Sequence, residues 1–149
     1  MKLITAMIMR NEANRYLSEV LTHAQTYSDK IVVLDDNSDD NSIEVAEEYG
    51  ATVYTHEEEP LFWTQEHALR EYLWKIILPK EADAGDWILA LDCDEIIGEQ
   101  FWNSLDMILQ QDNVNTFSFQ IWEAWGAKDK IRIDNLWNPA GKHTPMMTR

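Results

Sequence analysis

Positive charge, cysteine and long apolar runs are what this chain has least of. Its 12 Lys and Arg residues face 27 Asp and Glu, a formal charge of −15 at neutral pH. That field repels a phosphate backbone, which excludes nucleic acid as an expected partner and disfavours anionic lipid surfaces. An anionic small molecule can bind only where positive charge is recruited locally, and a divalent metal ion would do that. The one cysteine, Cys93, has no second thiol to pair with, so no internal disulfide forms and a reducing, cytoplasmic location is expected. No apolar run approaches the ~20 residues of a membrane span, so no transmembrane segment is expected. "LITAMIM" (3–9) after Lys2 is short for the core of a signal peptide and is followed by "RNEANR" rather than small residues, so it reads as a first strand. Neither an internal repeat nor a low-complexity linker interrupts the 149 residues. That length suits one domain, 1–149, able to bury about 70% of its unfolded surface without disulfides.

What is present is an alternation of strand and helix signals. "LITAMIM" is continuously apolar, as in a strand covered on both faces. Leu17, Val20, Leu21 and Ala24 follow at i, i+3, i+4, i+7, a helix that Asn11 or Asn14 can cap. "KIVVLD" (30–35) is a second buried strand. Asn41 with Glu44 forms a capping-box pattern, and Gly50 can end that helix. "ATVYT" (51–55) is a short third strand. Leu69, Tyr72, Leu73, Ile76 and Ile77 trace one face of a helix that Pro79 should stop. "WILAL" (87–91) is a fourth strand, Phe101, Leu105, Ile108 and Leu109 mark another helix, and "TFSFQIW" (116–122) alternates like a strand with one wet face. "KIRI" (130–133) is a candidate for one more strand. The order implies an α/β fold with right-handed crossovers and a mostly parallel sheet flanked by helices.

In such sheets ligands bind beyond the carboxyl ends of the strands. The polar clusters sit there: "RNE" after strand one, "DDNSDD" after strand two and "DCDE" after strand four. Asp92 and Asp94, two apart on an extended segment, point to one side while Cys93 points inward as a small buried hydrophobe. Paired carboxylates suit a hard cation, Mg²⁺ or Mn²⁺, that keeps positions open for water or phosphate oxygens. A solvated acidic turn is the competing reading in so acidic a chain.

"DDNSDDNS" (35–42) also resembles a calcium loop counted from Asp36, with Glu47 at the twelfth place. However, Asn41 stands where that loop needs Gly, and a strand rather than a helix precedes it. Capping of the next helix accounts for Asp40 and Asn41 and leaves Asp35 and Asp36 to face a ligand. Asn11 and Glu12 can equally be a helix start with a carboxylate near the dipole's positive end. His56 with Glu57, Glu58 and Glu59 reads as a solvated charge run, and His23 and His67 carry no assigned role. Trp122, Trp125 and Trp137 could stack on a sugar, although core packing explains Trp by default.

Taken together, "MIMRNE", "VVLDDNSDDNS" and "DWILALDCDEII", in that order and on those strand ends, resemble the family 2 glycosyltransferases over residues 3–100. The resemblance implies a GT-A (Rossmann-like) fold, with 1–100 as the nucleotide- and metal-binding part and 101–149 as an incomplete acceptor-side part. It implies that Asp36 faces the base of a nucleotide, with Asp35, Asn11 and Glu12 lining the pocket. Asp92 would lie near the ribose, and Asp94 would bind the Mn²⁺ or Mg²⁺ that bridges the diphosphate. Asp92 and His143 are further candidate metal ligands, the latter because C-terminal His residues approach the metal in some relatives.

The implied reaction is metal-dependent transfer of a sugar from a nucleoside-diphosphate sugar, expected to be a UDP-sugar, to a glycan or other hydroxyl acceptor, with inversion. The chain stops about 55 residues after Asp94, sooner than such domains usually do. Glu123, Asp129 and Asp134 are the candidate general bases, none of them in a matching motif. A truncated or non-catalytic nucleotide-sugar-binding domain is therefore the alternative, and an open sheet edge would favour a homo-oligomer. A metal-dependent nucleotidyltransferase is a third reading. It usually carries a Gly-rich or basic phosphate loop after strand one, and "MRNEAN" has no Gly.

Overall fold

The computed structural model describes residues 1–124, 126, 127, 130, 131 and 143–149. Strands β1 (Leu3–Met9), β2 (Lys30–Asp35), β3 (Thr52–Thr55), β4 (Trp87–Ala90), β5 (Thr116–Gln120) and β6 (His143–Thr148) form one sheet in the order β3-β2-β1-β4-β6-β5. The β1–β2, β2–β3 and β1–β4 pairings are parallel. Strand β6 runs antiparallel to both β4 and β5, so five of the six strands point the same way. Helices α1 (Leu17–Tyr27), α2 (Ser42–Glu48), α3 (Glu66–Tyr72), α4 (Leu78–Glu81) and α5 (Glu99–Leu109) lie in the connections from β1 to β5.

Every residue of β1 is buried, because the central strand is covered on both faces. Leu3, Met7 and Met9 point to the layer that contains Leu17, Leu21 and Ala24 of α1 and Phe101 of α5. Ile4, Ala6 and Ile8 point to the opposite layer, with Leu69, Leu73, Ile77 and Leu78. Each such Leu, Ile or Met side chain stabilises the fold by roughly 1.5–3 kcal/mol relative to exposure. The result is helix, sheet, helix, with the carboxyl ends of β1, β2, β3 and β4 along one edge.

Among the described residues no side chain caps α1, which begins at Leu17; Asn11 accepts instead from the N–H of Asp39 at 2.9 Å. Asn41 makes no side-chain cap on α2, and Asp40 Oδ1 takes the N–H of Ser42 at 2.9 Å in its place. Gly50 does end that helix. Its φ of +74° suits glycine, and Ala51 N–H donates back to Ala46 O at 3.1 Å.

Pro79 does not stop the third helical segment. A π-helical turn, Leu73–Ile77, follows α3, and Pro79 then sits in the first turn of α4, where a missing amide breaks no intrahelical bond. The wider turn also shifts the helical phase. Leu69, Leu73 and Ile77 are buried, while Tyr72 is 43% and Ile76 44% exposed. In β5, Phe117 and Phe119 are half-buried between exposed neighbours, as alternation predicts. Strand β6 carries no such periodic signal. Of "KIRI", Lys130 and Ile131 are described, Ile131 in an isolated bridge to Ala124; 132 and 133 lie outside the described residues, as do Trp125, Asp129, Asp134 and Trp137.

Candidate functional site at the carboxyl edge of the sheet

Strands β1 and β2 run out side by side and both turn sharply on an asparagine: Asn11 has φ 54° and Asn37 φ 55°. Asparagine tolerates the left-handed region better than most residues. The two turns are then stitched together. Arg10 donates to the carbonyls of Asp36 and Asn37, and Asn11 N–H donates to Ser38 Oγ at 2.9 Å. Ser42 Oγ accepts from the amides of Glu12 (2.8 Å) and Ala13 (2.9 Å) and donates to Asp40. Short polar side chains in "DDNSDDNS" therefore fix the geometry of "RNE".

Asp35 and Asp36 are both fully buried, and their oxygens face loops of the protein. Asp35 accepts from the N–H and hydroxyl of Ser38 at 2.9 and 2.5 Å. Burial raises its pKa, and the bonds from Ser38 oppose that shift. Asp36 pairs with His56 Nδ1 at 3.0 Å and accepts from the amides of Leu61 and Phe62 at 2.8 and 2.7 Å. It thereby fastens the acidic loop after β3 over the sheet edge. His56, which the sequence places in a solvated charge run, is 17% exposed at its side chain. A hollow of about 540 Å³, lined in part by His56, Glu57, Leu61, Leu69 and Tyr72, opens under this loop. Its walls do not include Asp92 or Asp94.

Strand β4 continues along β1 past its last ladder residue: Leu91 N–H donates to Ala6 O at 3.1 Å, and Cys93 Sγ contacts Ile8 O at 3.4 Å. Asp92 and Asp94 are exposed on either side of buried Cys93, as the spacing predicts, although the segment is a turn closed by Glu95 N–H to Asp92 O at 3.1 Å. Burial pushes the Cys93 thiol pKa up, which leaves it inert. Asp92 meets Arg70 of α3 at 2.9 Å, and its own N–H donates to Glu95 Oε2 at 3.0 Å. Asp94 makes no hydrogen bond or ion pair among the described residues.

Glu12, past the end of β1, feels the charge of Asp94. Its side chain is 8% exposed, with Oε1 on Arg15 at 2.8 Å and a buried Oε2 that has no partner among the described residues. Burial raises its pKa, Arg15 opposes the rise, and the charges of Asp94 and Asp40 add to it. Glu95 is raised in the same direction by burial, with Asp92 and Asp94 contributing.

The topology thus brings Asn11, Glu12, Asp92 and Asp94 to one edge. His143, exposed at the start of β6 and in register with Gln120, reaches the same edge. Among the described residues no three His, Cys, Asp or Glu side chains converge as a ready-made metal cage, so Asp92, Asp94 and His143 do not form one. Arg70 and Arg15 are site residues that the sequence reading missed. Their signal was available as Glu66–Arg70 at i,i+4 and Glu12–Arg15 at i,i+3, spacings that pair charges on a helical turn.

No protein-family model matches the sequence. Among solved structures, the chain is similar to 4-diphosphocytidyl-2C-methyl-D-erythritol synthase, with TM-score 0.58 and 15% identity over 99% of this chain and 73% of that one. It is also similar to mannosyl-3-phosphoglycerate synthase from Rubrobacter xylanophilus (TM-score 0.51, 20% identity, 77% of this chain, 38% of that one). A third is glucosyl-3-phosphoglycerate synthase from M. tuberculosis (TM-score 0.52, 18% identity, 77% and 43%). At these identities the likeness shows the fold: a GT-A-like α/β domain. The chain spans about two fifths of the length of the two phosphoglycerate synthases.

Proposed function

We propose that this domain binds a nucleoside-diphosphate sugar, a UDP-sugar in the first instance, with Mn²⁺ or Mg²⁺, and serves an inverting glycosyltransferase of family 2. The observation that carries this reading is Asp94, an exposed carboxylate without a partner among the described residues, held by β4 beside the end of β1. The neighbouring fold, shared with synthases of sugar and nucleotide compounds, supports a nucleotide-binding transferase.

The donor set fits such an ion: carboxylate oxygens are hard ligands, and Mg²⁺ or Mn²⁺ is commonly held by one or two of them together with water and phosphate. Asp94 would hold it, with Asp92 adjoining. When bound, the ion supplies Lewis-acid stabilisation of the charge that grows on a departing diphosphate. The residues of the chain do the rest. Asp36 and Asp35 shape the pocket wall by fastening the loops that border it. Arg70 orients Asp92. Asn11 holds the β2 turn in place. A carboxylate on the acceptor side takes the proton of the acceptor hydroxyl; of the candidates, Glu123 is described and exposed. A homo-oligomer and a cytoplasmic location belong to the same reading. Among the described residues no helix is long and apolar enough to cross a membrane.

One observation favours a second reading. The likeness to 4-diphosphocytidyl-2C-methyl-D-erythritol synthase runs over 99% of this chain, which suits nucleotidyl transfer. Incubation with Mn²⁺ and a panel of UDP-sugars separates the cases. Metal-dependent release of UDP supports the glycosyltransferase, and binding without turnover marks a purely binding domain. Release of pyrophosphate from a nucleoside triphosphate in the presence of a sugar or polyol phosphate would establish the nucleotidyl alternative.

A further inference from the structure

Buried side-chain polar atoms in native proteins nearly always have a partner, and each exception calls for an explanation. Among the described residues Glu12 Oε2 is such an exception. It belongs to a carboxylate, the group for which burial without compensation is most unfavourable. The surroundings aggravate the problem. Arg15 reaches only Oε1, while the charges of Asp94 and Asp40 act on Glu12 in the unfavourable direction. The backbone gives it no freedom to leave, because the N–H groups of Glu12 and Ala13 are both held by Ser42 Oγ.

Two carboxylates, one buried and one exposed and both without a partner among the described residues, thus lie past the ends of adjacent strands β1 and β4, near enough for the charge of Asp94 to act on Glu12. We infer that Glu12 Oε2 and Asp94 together form the protein half of a divalent-cation site, with Glu12 as the inner, buried ligand. This rests on the proposed metal dependence and adds to it a ligand from the first strand. A cation there resolves both anomalies at once, since it gives Oε2 a partner and cancels the repulsion between the two acids. The remaining coordination positions face the open edge, where phosphate oxygens or water complete the shell.

The test is titration of the intact chain with Mn²⁺ alone, followed by calorimetry or by the electron-spin signal of free Mn²⁺, alongside thermal melting. Wild type binds at millimolar Mn²⁺ or below and melts higher when it does. Glu12→Gln is expected to bind at least tenfold more weakly, to gain little melting temperature from Mn²⁺, and to melt above wild type in chelator, because its buried charge is gone. Glu12→Asp, which keeps the charge but withdraws the oxygen, serves if the Gln variant does not fold, and is also expected to bind at least tenfold more weakly. Mn²⁺ affinity within twofold of wild type in whichever variant folds overturns the inference, as does a wild type that binds no Mn²⁺. Asp94→Ala, run in parallel, separates the two levels. Loss in Asp94→Ala with none in Glu12→Gln removes Glu12 and leaves the metal-dependent reading standing, whereas loss in neither removes both.

Discussion

Ser42 shows how much of the site depends on single side chains. One hydroxyl, fully buried, accepts from two amides of the β1 turn and donates to Asp40. Ser42→Ala leaves the Glu12 amide without its acceptor and the Ala13 amide with Asp40 Oδ2 at 3.2 Å alone, and an unsatisfied buried donor destabilises by about 1–3 kcal/mol. Urea unfolding is expected to show a loss of about 1–3 kcal/mol, together with weaker ligand binding because the Glu12 amide is no longer held. A loss under half a kilocalorie would mean that water replaces the hydroxyl. The residue types at this edge were legible in the sequence, because hydrophobic runs ending in acid announce strand ends. Their orientation was not. Asp35 and Asp36 look alike as letters, yet each has both oxygens bonded within the protein. The loop amides that satisfy Asp36 come from residues 25 and 26 positions away, and no local pattern reports that.

At the scale of elements, local chemistry and tertiary context part company in a graded way. Strands β1, β2 and β4 were legible because parallel strands buried on two faces are continuous apolar runs. Strand β6 was not, since "HTPMMT" contains a proline and no alternation; it exists because it fills the gap between β4 and β5, where Met147 is 1% exposed. The π-helical turn before Pro79 escaped as well, because a single-turn change of phase leaves no compositional trace. Gly50 was read correctly, as only its left-handed backbone requires it: a Cβ there would meet nothing within 4 Å. Gly50→Ala is therefore expected to destabilise by about 1 kcal/mol through backbone strain alone. The resulting fall in melting temperature should come with no change in ligand affinity. A larger loss would point to a contact that the helix end makes elsewhere.

For the molecule as a whole, the dominant fact is a formal charge of −15, to which Glu12, Asp92 and Asp94 contribute at one sheet edge. Burial raises the pKa of Asp35 in the folded state, so the folded chain holds that proton more tightly than the unfolded chain does. The stability this contributes is present below the ordinary aspartate value of about 4 and is lost as pH rises through the folded value. Asp35→Asn is thus expected to gain stability relative to wild type as pH rises across that window, measured by urea unfolding at a series of pH values. Parallel curves for the two proteins would contradict it. The same field explains why a negatively charged donor needs help to approach, and this makes calorimetric titration of UDP, with and without Mn²⁺, into wild type and Asp94→Ala the most direct test of the central claim. Binding to wild type is expected to depend on Mn²⁺, with at least a tenfold loss, about 1.4 kcal/mol, in the variant. UDP binding of equal strength without the metal, or unchanged in Asp94→Ala, would contradict it.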